Sequence, residues 1–232
     1  MIEIIVKKRN SDIEEIARAV KLSLCDFGDV KKFILSNHEL LDDKTHFIVD
    51  DIDTLKELFN SGRGLVYGIK IGEKLIAVQA MDYNREDYLK FKKVFSWLGK
   101  KDEVMEIGWA MVTPEYQGNK LTHILMGMLE RDAHEETGSR FVATTAHPHN
   151  ISSLFVYLKN GYLGYKIKEH YDNIRMFLLK DIRRSITLEI SETSWCDCMD
   201  IDSCRKKLDE ELICCNVEKI GEQIRLVFTS KE

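Results

Sequence analysis

The chain has 232 residues and only two prolines, Pro114 and Pro148, each set between a strand-like run and a helix-like one. Before Pro114 lies Val104-Met105-Glu106-Ile107-Gly108-Trp109-Ala110-Met111-Val112, rich in strand formers. After it Leu121, Ile124, Leu125, Met128 and Leu129 recur at helical spacing, the stripe of a helix docked on a sheet. Gly138 follows as a left-handed C-cap. Before Pro148 comes the short β-compatible run Phe141-Val142-Ala143-Thr144-Thr145-Ala146. After it Asn150 is a good N-cap, Ile151, Leu154, Phe155 and Leu158 form one helical face, and Gly161 closes it. Residues 104–161 therefore read as strand–helix–strand–helix, a right-handed crossover with parallel strands.

Around this unit the pattern is more ordinary. Residues 2–6 read as a first strand, and Ser11 or Asp12 caps a helix carrying Ile13, Ile16, Ala17, Val20 and Leu24. Further helices are expected over 30–36 and from the Asp50-Asp51 pair to about Asn60. Gly64–Ile71 and residues 74–83 form a hairpin turning at Gly72. Residues 84–100, charged and aromatic, read as a helix or loop over the sheet edge, and 162–168 with 174–180 as another strand pair. Beyond Asp181, Ile186, Leu188 and Ile190 alternate with polar residues, a helix fits 203–212, and Ile224, Leu226 and Phe228 alternate again. So short a stretch rarely holds a core alone. The expected division is a domain over 1–181 and an extension over 182–232, packed on that domain or on a second subunit.

Composition narrows the function classes. With 44% hydrophobic residues and 31% charged the chain can bury a core, which excludes wholesale disorder. A net charge of −5 argues against nucleic acid as partner, and Lys7-Lys8-Arg9 and Lys92-Lys93 read as solvated faces. Nothing approaches the ~18 consecutive apolar residues of a membrane-spanning helix. The opening Met1-Ile2-Glu3-Ile4-Ile5-Val6 puts its apolar run before the positive charges, the reverse of a secretory signal. A soluble, cytoplasmic protein is expected. Cys25 stands alone, while Cys196, Cys198, Cys204, Cys214 and Cys215 share the tail without the repeated paired spacing of a zinc site or the density of a disulfide scaffold. His147-Pro148-His149 has no acidic or cysteine partner at ligand spacing, so no metal is expected.

The chemistry sits at Val112-Thr113-Pro114-Glu115-Tyr116-Gln117-Gly118-Asn119-Lys120-Leu121-Thr122. A sharp turn at Gly118 delivers the backbone amides of a helix N-terminus into one concavity, an arrangement that binds anionic phosphate. It has neither the spacing of a P-loop nor the glycines of a Rossmann fingerprint. At these residues the sequence resembles the GNAT superfamily of acyl-CoA N-acyltransferases, whose pattern V-x-P-x-(Y)-[R/Q]-x-x-G-x-[G/A] cradles the coenzyme A pyrophosphate. Gln117, Gly118, Asn119 and Thr122 match, and Lys120 stands where the central glycine is usual, which implies an ordinary backbone conformation there. The family's later motif, N-x-x-[A/S]-x-x-φ-Y-x-x-x-G-[F/Y], is met in register by Asn150, Ser153, Val156, Tyr157, Gly161 and Tyr162.

The resemblance covers about residues 1–180. It implies an α/β fold (α+β by some schemes): a mixed, mainly antiparallel central sheet with a splayed parallel strand pair and flanking helices. The tail adds a β-α-β-like extension. It also implies acetyl-CoA as co-substrate, held by Met111 and Val112, by the run Gln117, Gly118, Asn119, Lys120, Leu121 and Thr122, and by Asn150 and Ser153. The reaction implied is direct transfer of an acetyl or acyl group to a primary amine of a small molecule, peptide or protein. Glu106 would act as base, directly or through water, or would merely face solvent. Tyr157 would protonate the departing thiolate, or would pack with its hydroxyl tied to a neighbour. A backbone amide at Met111 or Val112 would stabilise the oxyanion. The acceptor would meet residues 24–41, 83–97 and 169–175, where Tyr83, Asp87, Tyr88, Trp97, Glu169, Tyr171 and Arg175 offer aromatic walls and both signs of charge. The alternatives are a catalytically silent acyl-CoA-binding module and a zinc-stabilised interaction protein. A homodimer is compatible with the tail.

Overall fold

A computed structural model describes residues 2–47, 52–60, 62–83, 88–98, 104–170, 172–183 and 193–230. In chain order its elements begin with β1 (Ile2–Lys7), β2 (Glu14–Lys21), α1 (Phe27–His38), α2 (Thr54–Glu57), β3 (Gly64–Ile71) and β4 (Lys74–Asp82). Next come α3 (Tyr88–Val94), β5 (Val104–Val112), α4 (Leu121–Thr137), β6 (Phe141–Ala146) and α5 (Ile151–Lys159). The chain ends with β7 (Leu163–His170), β8 (Asn173–Asp181), β9 (Thr193–Asp197), α6 (Ile201–Asp209), β10 (Leu212–Ile220) and β11 (Gln223–Ser230). Two compact units contain them: Met1–Asn84 with Met105–Gly138, and Arg85–Val104 with Ser139–Glu232.

In the first unit the strands run β1-β2-β3-β4-β5, each antiparallel to its neighbour. β3 and β4 are buried along most of their length because helices cover both faces. On one face Val30, Phe33 and Ile34 of α1 and Leu55 and Leu58 pack on Val66, Val78, Ala80 and Met111; α4 also packs against β3 and β4. The hairpin turns at Gly72 with φ 55, as its sequence requires.

The helix expected after Ser11 is instead strand β2. Ala17 and Ala19 are fully buried, whereas Ile13 and Ile16 are exposed. Burial thus follows the two-residue period of a strand on two small residues, which a scan weighted toward large apolar side chains reads as helical. The helix expected to end near Asn60 is the short α2, and its lead-in at Asp50-Asp51 lies outside the described residues.

The second unit orders its strands β6-β8-β7-β10-β11-β9, all antiparallel. α3 packs on β6, the terminal strand of this order, and on β8. Its Phe91, with Phe95 just beyond, is buried against Phe141, Ala143, Phe177 and Leu179 of β6 and β8. α5 buries Leu154, Tyr157 and Leu158, while Phe155, expected on the apolar face, is half exposed. The tail continues this sheet: β10 meets β7 with Cys214 opposite Gly164, and α6 packs on β7 and β10. A Cβ on Gly164 would stand 2.7 Å from Met176 Sδ and 3.1 Å from the Cys214 Cβ, so the strands approach closely only because glycine is there. The alternation through Ile186, Leu188 and Ile190 falls outside the described residues.

The tail cysteines are absorbed by packing and by one cross-link. Cys196 and Cys204 pair as a disulfide joining β9 to α6, a pairing the sequence reading did not contain. Cys198 and Cys214 are buried, and burial pushes both thiols up. Among the described residues no group of three or more His, Cys, Asp or Glu side chains is placed to hold a metal ion. Among them, too, no helix is long and apolar enough to cross a membrane.

Candidate active site

The β5–α4 junction in the first unit carries most of the candidate residues. β5 is irregular: its pairing with β4 shifts between Val78 and Ala80, and Trp109 sits at φ 53. That conformation is strained for a bulky residue and marks a bulge. The Trp109 ring is held in the α1-side core, edge-on to Phe47 at 6.2 Å. After the bulge the ladder resumes, with Met111 opposite Val78, Val112 opposite Ala77, and the Thr113 amide donating to the Ile76 carbonyl at 3.0 Å. Successive strand amides point to opposite edges. Met111 therefore turns its N–H toward β4, while Val112 directs its N–H to the opposite edge, so Val112 is the better candidate of the two for a donor to the acyl oxygen. Glu106 is half-buried opposite Asp82 near the start of the same strand and has partners of its own.

The turn that follows is braced from outside. Residues Pro114–Tyr116 make one 3-10 turn, and the Tyr116 hydroxyl donates to the Glu15 carboxylate of β2. That carboxylate, with burial, pushes the Tyr116 phenol up to about 12. Gln117 and Gly118 are exposed, Gly118 at φ 91 with open space where a Cβ would project.

Lys120 corrects the expectation made for it. It adopts φ 57, ψ 26, the left-handed conformation a glycine would supply, at a cost of about 1–2 kcal/mol for a side-chain-bearing residue. It occupies the N-cap of α4, where no side chain caps the helix. The first amides of α4, at Leu121 and Thr122, have no intrahelical acceptor and stay available to an anion. The side chain of Asn119 is already committed. It accepts from the Lys7 amide at 2.7 Å and donates to the carbonyls of Lys7 at 2.8 Å and Tyr116 at 2.9 Å. Only its backbone remains for a ligand, and this latch, 112 residues apart in sequence, left no local signal.

The second unit holds the other motif. Asn150 caps α5, its Oδ1 accepting from the Ser153 amide at 3.1 Å. Tyr157 is buried, its ring 5.2 Å from that of Tyr162. The candidate acceptor residues are divided between the two units. Tyr83 donates to Glu136 at 3.4 Å, fifteen residues into α4 and about 22 Å from the phosphate turn; burial and Glu136 hold its phenol well above the ordinary range. In the second unit Trp97 is exposed beside Phe95 and Tyr165, Glu169 is exposed, and Arg175 is buried in β8. Asp87, Tyr171 and the Tyr88 side chain lie outside the described residues.

Comparison with known proteins gives this arrangement its class. The acetyltransferase (GNAT) family model matches residues 34–162, more than half of the chain. The chain belongs to that family. Its fold is similar to an N-acetyltransferase from Staphylococcus aureus (TM-score 0.53, 16% identity, 72% of this chain and 99% of the other). It is similar also to the GNAT domain of S. lividans PAT (0.53, 17%, 78% and 97%). Arabidopsis thaliana NAA60, solved with a bisubstrate analogue, is alike to the same degree (0.54, 12%, 72% and 99%). No curated protein sequence matches the chain. The fold is thus the mixed α/β fold of this family, and the family's chemistry is acyl transfer with acyl-CoA as co-substrate. The residues fit that co-substrate: exposed Gly118 leaves room where any side chain would intrude, beside amides that nothing in α4 satisfies.

Proposed function

We propose that the protein is an N-acyltransferase that moves an acetyl or similar acyl group from acyl-CoA to a primary amine by direct attack. The observation that carries this reading is the β5–α4 junction, with Gly118 and Lys120 both left-handed and the N-terminus of α4 uncapped. Such a turn offers main-chain donors to a diphosphate. The Val112 N–H then serves as the donor to the carbonyl oxygen as charge develops there.

The bond changes balance without a covalent enzyme intermediate. The amine nitrogen bonds to the thioester carbonyl carbon, the carbon–sulfur bond breaks, and the sulfur leaves with the bonding pair. The nitrogen sheds two protons. Glu106 takes the first from the alkyl ammonium, directly or through water, because a group with a pKa near 10.4 is almost wholly protonated at neutral pH, and solvent takes the second once the nitrogen has bonded to carbon. Tyr157 supplies a proton to the thiolate and recovers one from solvent. The reading is supported by the family match and by the register of both motifs. The acceptor is a small molecule, a peptide or a protein amine.

Thiol release from acetyl-CoA across a panel of amines, with Tyr157→Phe alongside, tests it. Expected is turnover on at least one amine, and a kcat about a hundredfold lower in the variant at unchanged affinity for coenzyme A. Tight binding of acetyl-CoA with no turnover on any amine would leave a silent binding module instead.

A further inference from the structure

The basic run Lys7-Lys8-Arg9, which composition assigns to a solvated face, lies against the phosphate turn. The β1–β2 turn and the cradle together line an open pocket of about 490 Å³, bounded by residues 7–12 on one side and by Gln117, Gly118 and Asn119 on the other. The two walls are fastened together. Besides the Asn119 latch on Lys7, the Arg9 amide donates to the Glu115 carbonyl at 2.7 Å. Asn10, at φ 59, bends the turn, and the Ser11 amide closes it on the Lys8 carbonyl at 3.1 Å.

Charge in this pocket is one-sided, three cations against the single carboxylate of Asp12, in a chain whose net charge is −5. Lys7 is paired with Asp12 at 2.9 Å, and Lys8 faces Glu115 at 3.8 Å. Among the described residues Arg9 has no carboxylate at ion-pair distance and presents a planar, always-charged fork. A bidentate guanidinium suits a phosphate monoester, and two phosphate-binding surfaces in one pocket suit a ligand that carries a diphosphate and a separate phosphate.

We propose that the β1–β2 turn is a phosphate-reading arm. Arg9, assisted by Lys8, receives the 3′-phosphate of the coenzyme A ribose while the Gly118 turn holds the diphosphate. The arm discriminates coenzyme A from nucleotides that lack the monoester. This rests on the acyl-CoA reading above and extends it to a second anion subsite outside the strand–turn–helix motif.

Calorimetry of the full chain with coenzyme A and with 3′-dephospho-coenzyme A tests it. The chain should prefer coenzyme A about tenfold. Arg9→Ala should bring the ratio close to one by weakening coenzyme A alone, and Arg9→Lys should keep part of the preference. Gly118→Asp should lose both ligands together. An equal affinity for the two ligands, or a preference unchanged in Arg9→Ala and in the Lys8→Ala/Arg9→Ala double variant, would overturn the proposal. If the native chain binds neither nucleotide, the acyl-CoA reading fails and takes this one with it. Melting temperatures of the Arg9 variants equal to that of the native chain exclude a folding defect as the cause.

Discussion

The two proline-marked junctions of this chain share one grammar, strand then proline then helix, and finish differently. At β6–α5, Asn150 turns its side chain onto the Ser153 amide, and the helix satisfies its own N-terminus. At β5–α4 no side chain caps the helix, two left-handed residues shape the turn, and a lysine stands at the positive end of the helix dipole. By helix energetics the second arrangement is inferior, since a cation there is unfavourable and the donors are unmet. What a free helix loses there, an anion recovers. The capped junction contributes to stability, and the open one leaves donors for the ligand proposed above.

The largest effect should come from closing the open junction. Gly118→Asp adds a carboxylate at the proposed diphosphate site and forces a side chain into φ 91. Coenzyme A affinity in calorimetry should fall about a hundredfold or more, and an unchanged affinity would erase the distinction between the junctions. Next comes Lys120→Gly, which removes the strain of a left-handed lysine. Thermal or denaturant unfolding should show a gain of about 1 kcal/mol; a loss would mean that Lys120 makes a compensating contact. At the capped junction Asn150→Ala should cost about 1 kcal/mol in the same assay, opposite in sign to Lys120→Gly.

The smallest effect concerns a third helix start. Asp200 caps α6, and the Ser203 hydroxyl and amide hold its carboxyl below the ordinary range. A depressed carboxylate contributes stability above its unfolded pKa of about 3.9, and that contribution is lost as pH falls through the folded value. Asp200→Asn keeps the cap at neutral pH, because asparagine caps as well. Its stability should therefore fall less steeply below about pH 4 than that of the native chain, a difference that melting curves across acid pH can read.

How much was legible in advance follows the range of the forces involved. β5, α4, β6 and α5 could be placed from the sequence because strand composition, helical periodicity and caps act within a few residues. β2 was misread because its buried positions are alanines, whose small size hides a two-residue period inside an apparent helical one. β9 and β10 were missed because they are held by pairing with partners remote in sequence. The left-handed state of Lys120 was also beyond local reading, since its own side chain disfavours it and the surrounding turn must impose it.

The sequence alone pointed to the family and placed the strand–turn–helix junction that the family match covers, because motif spacing and backbone caps are local properties. Tertiary structure decided what faces that turn. It set the Lys7–Arg9 segment beside Gly118 and tied up the Asn119 side chain across 112 residues. It also sent Tyr83 to the far end of α4. Those placements follow from how strands pair and helices pack, and a one-dimensional pattern carries no distance between residues that are far apart along the chain.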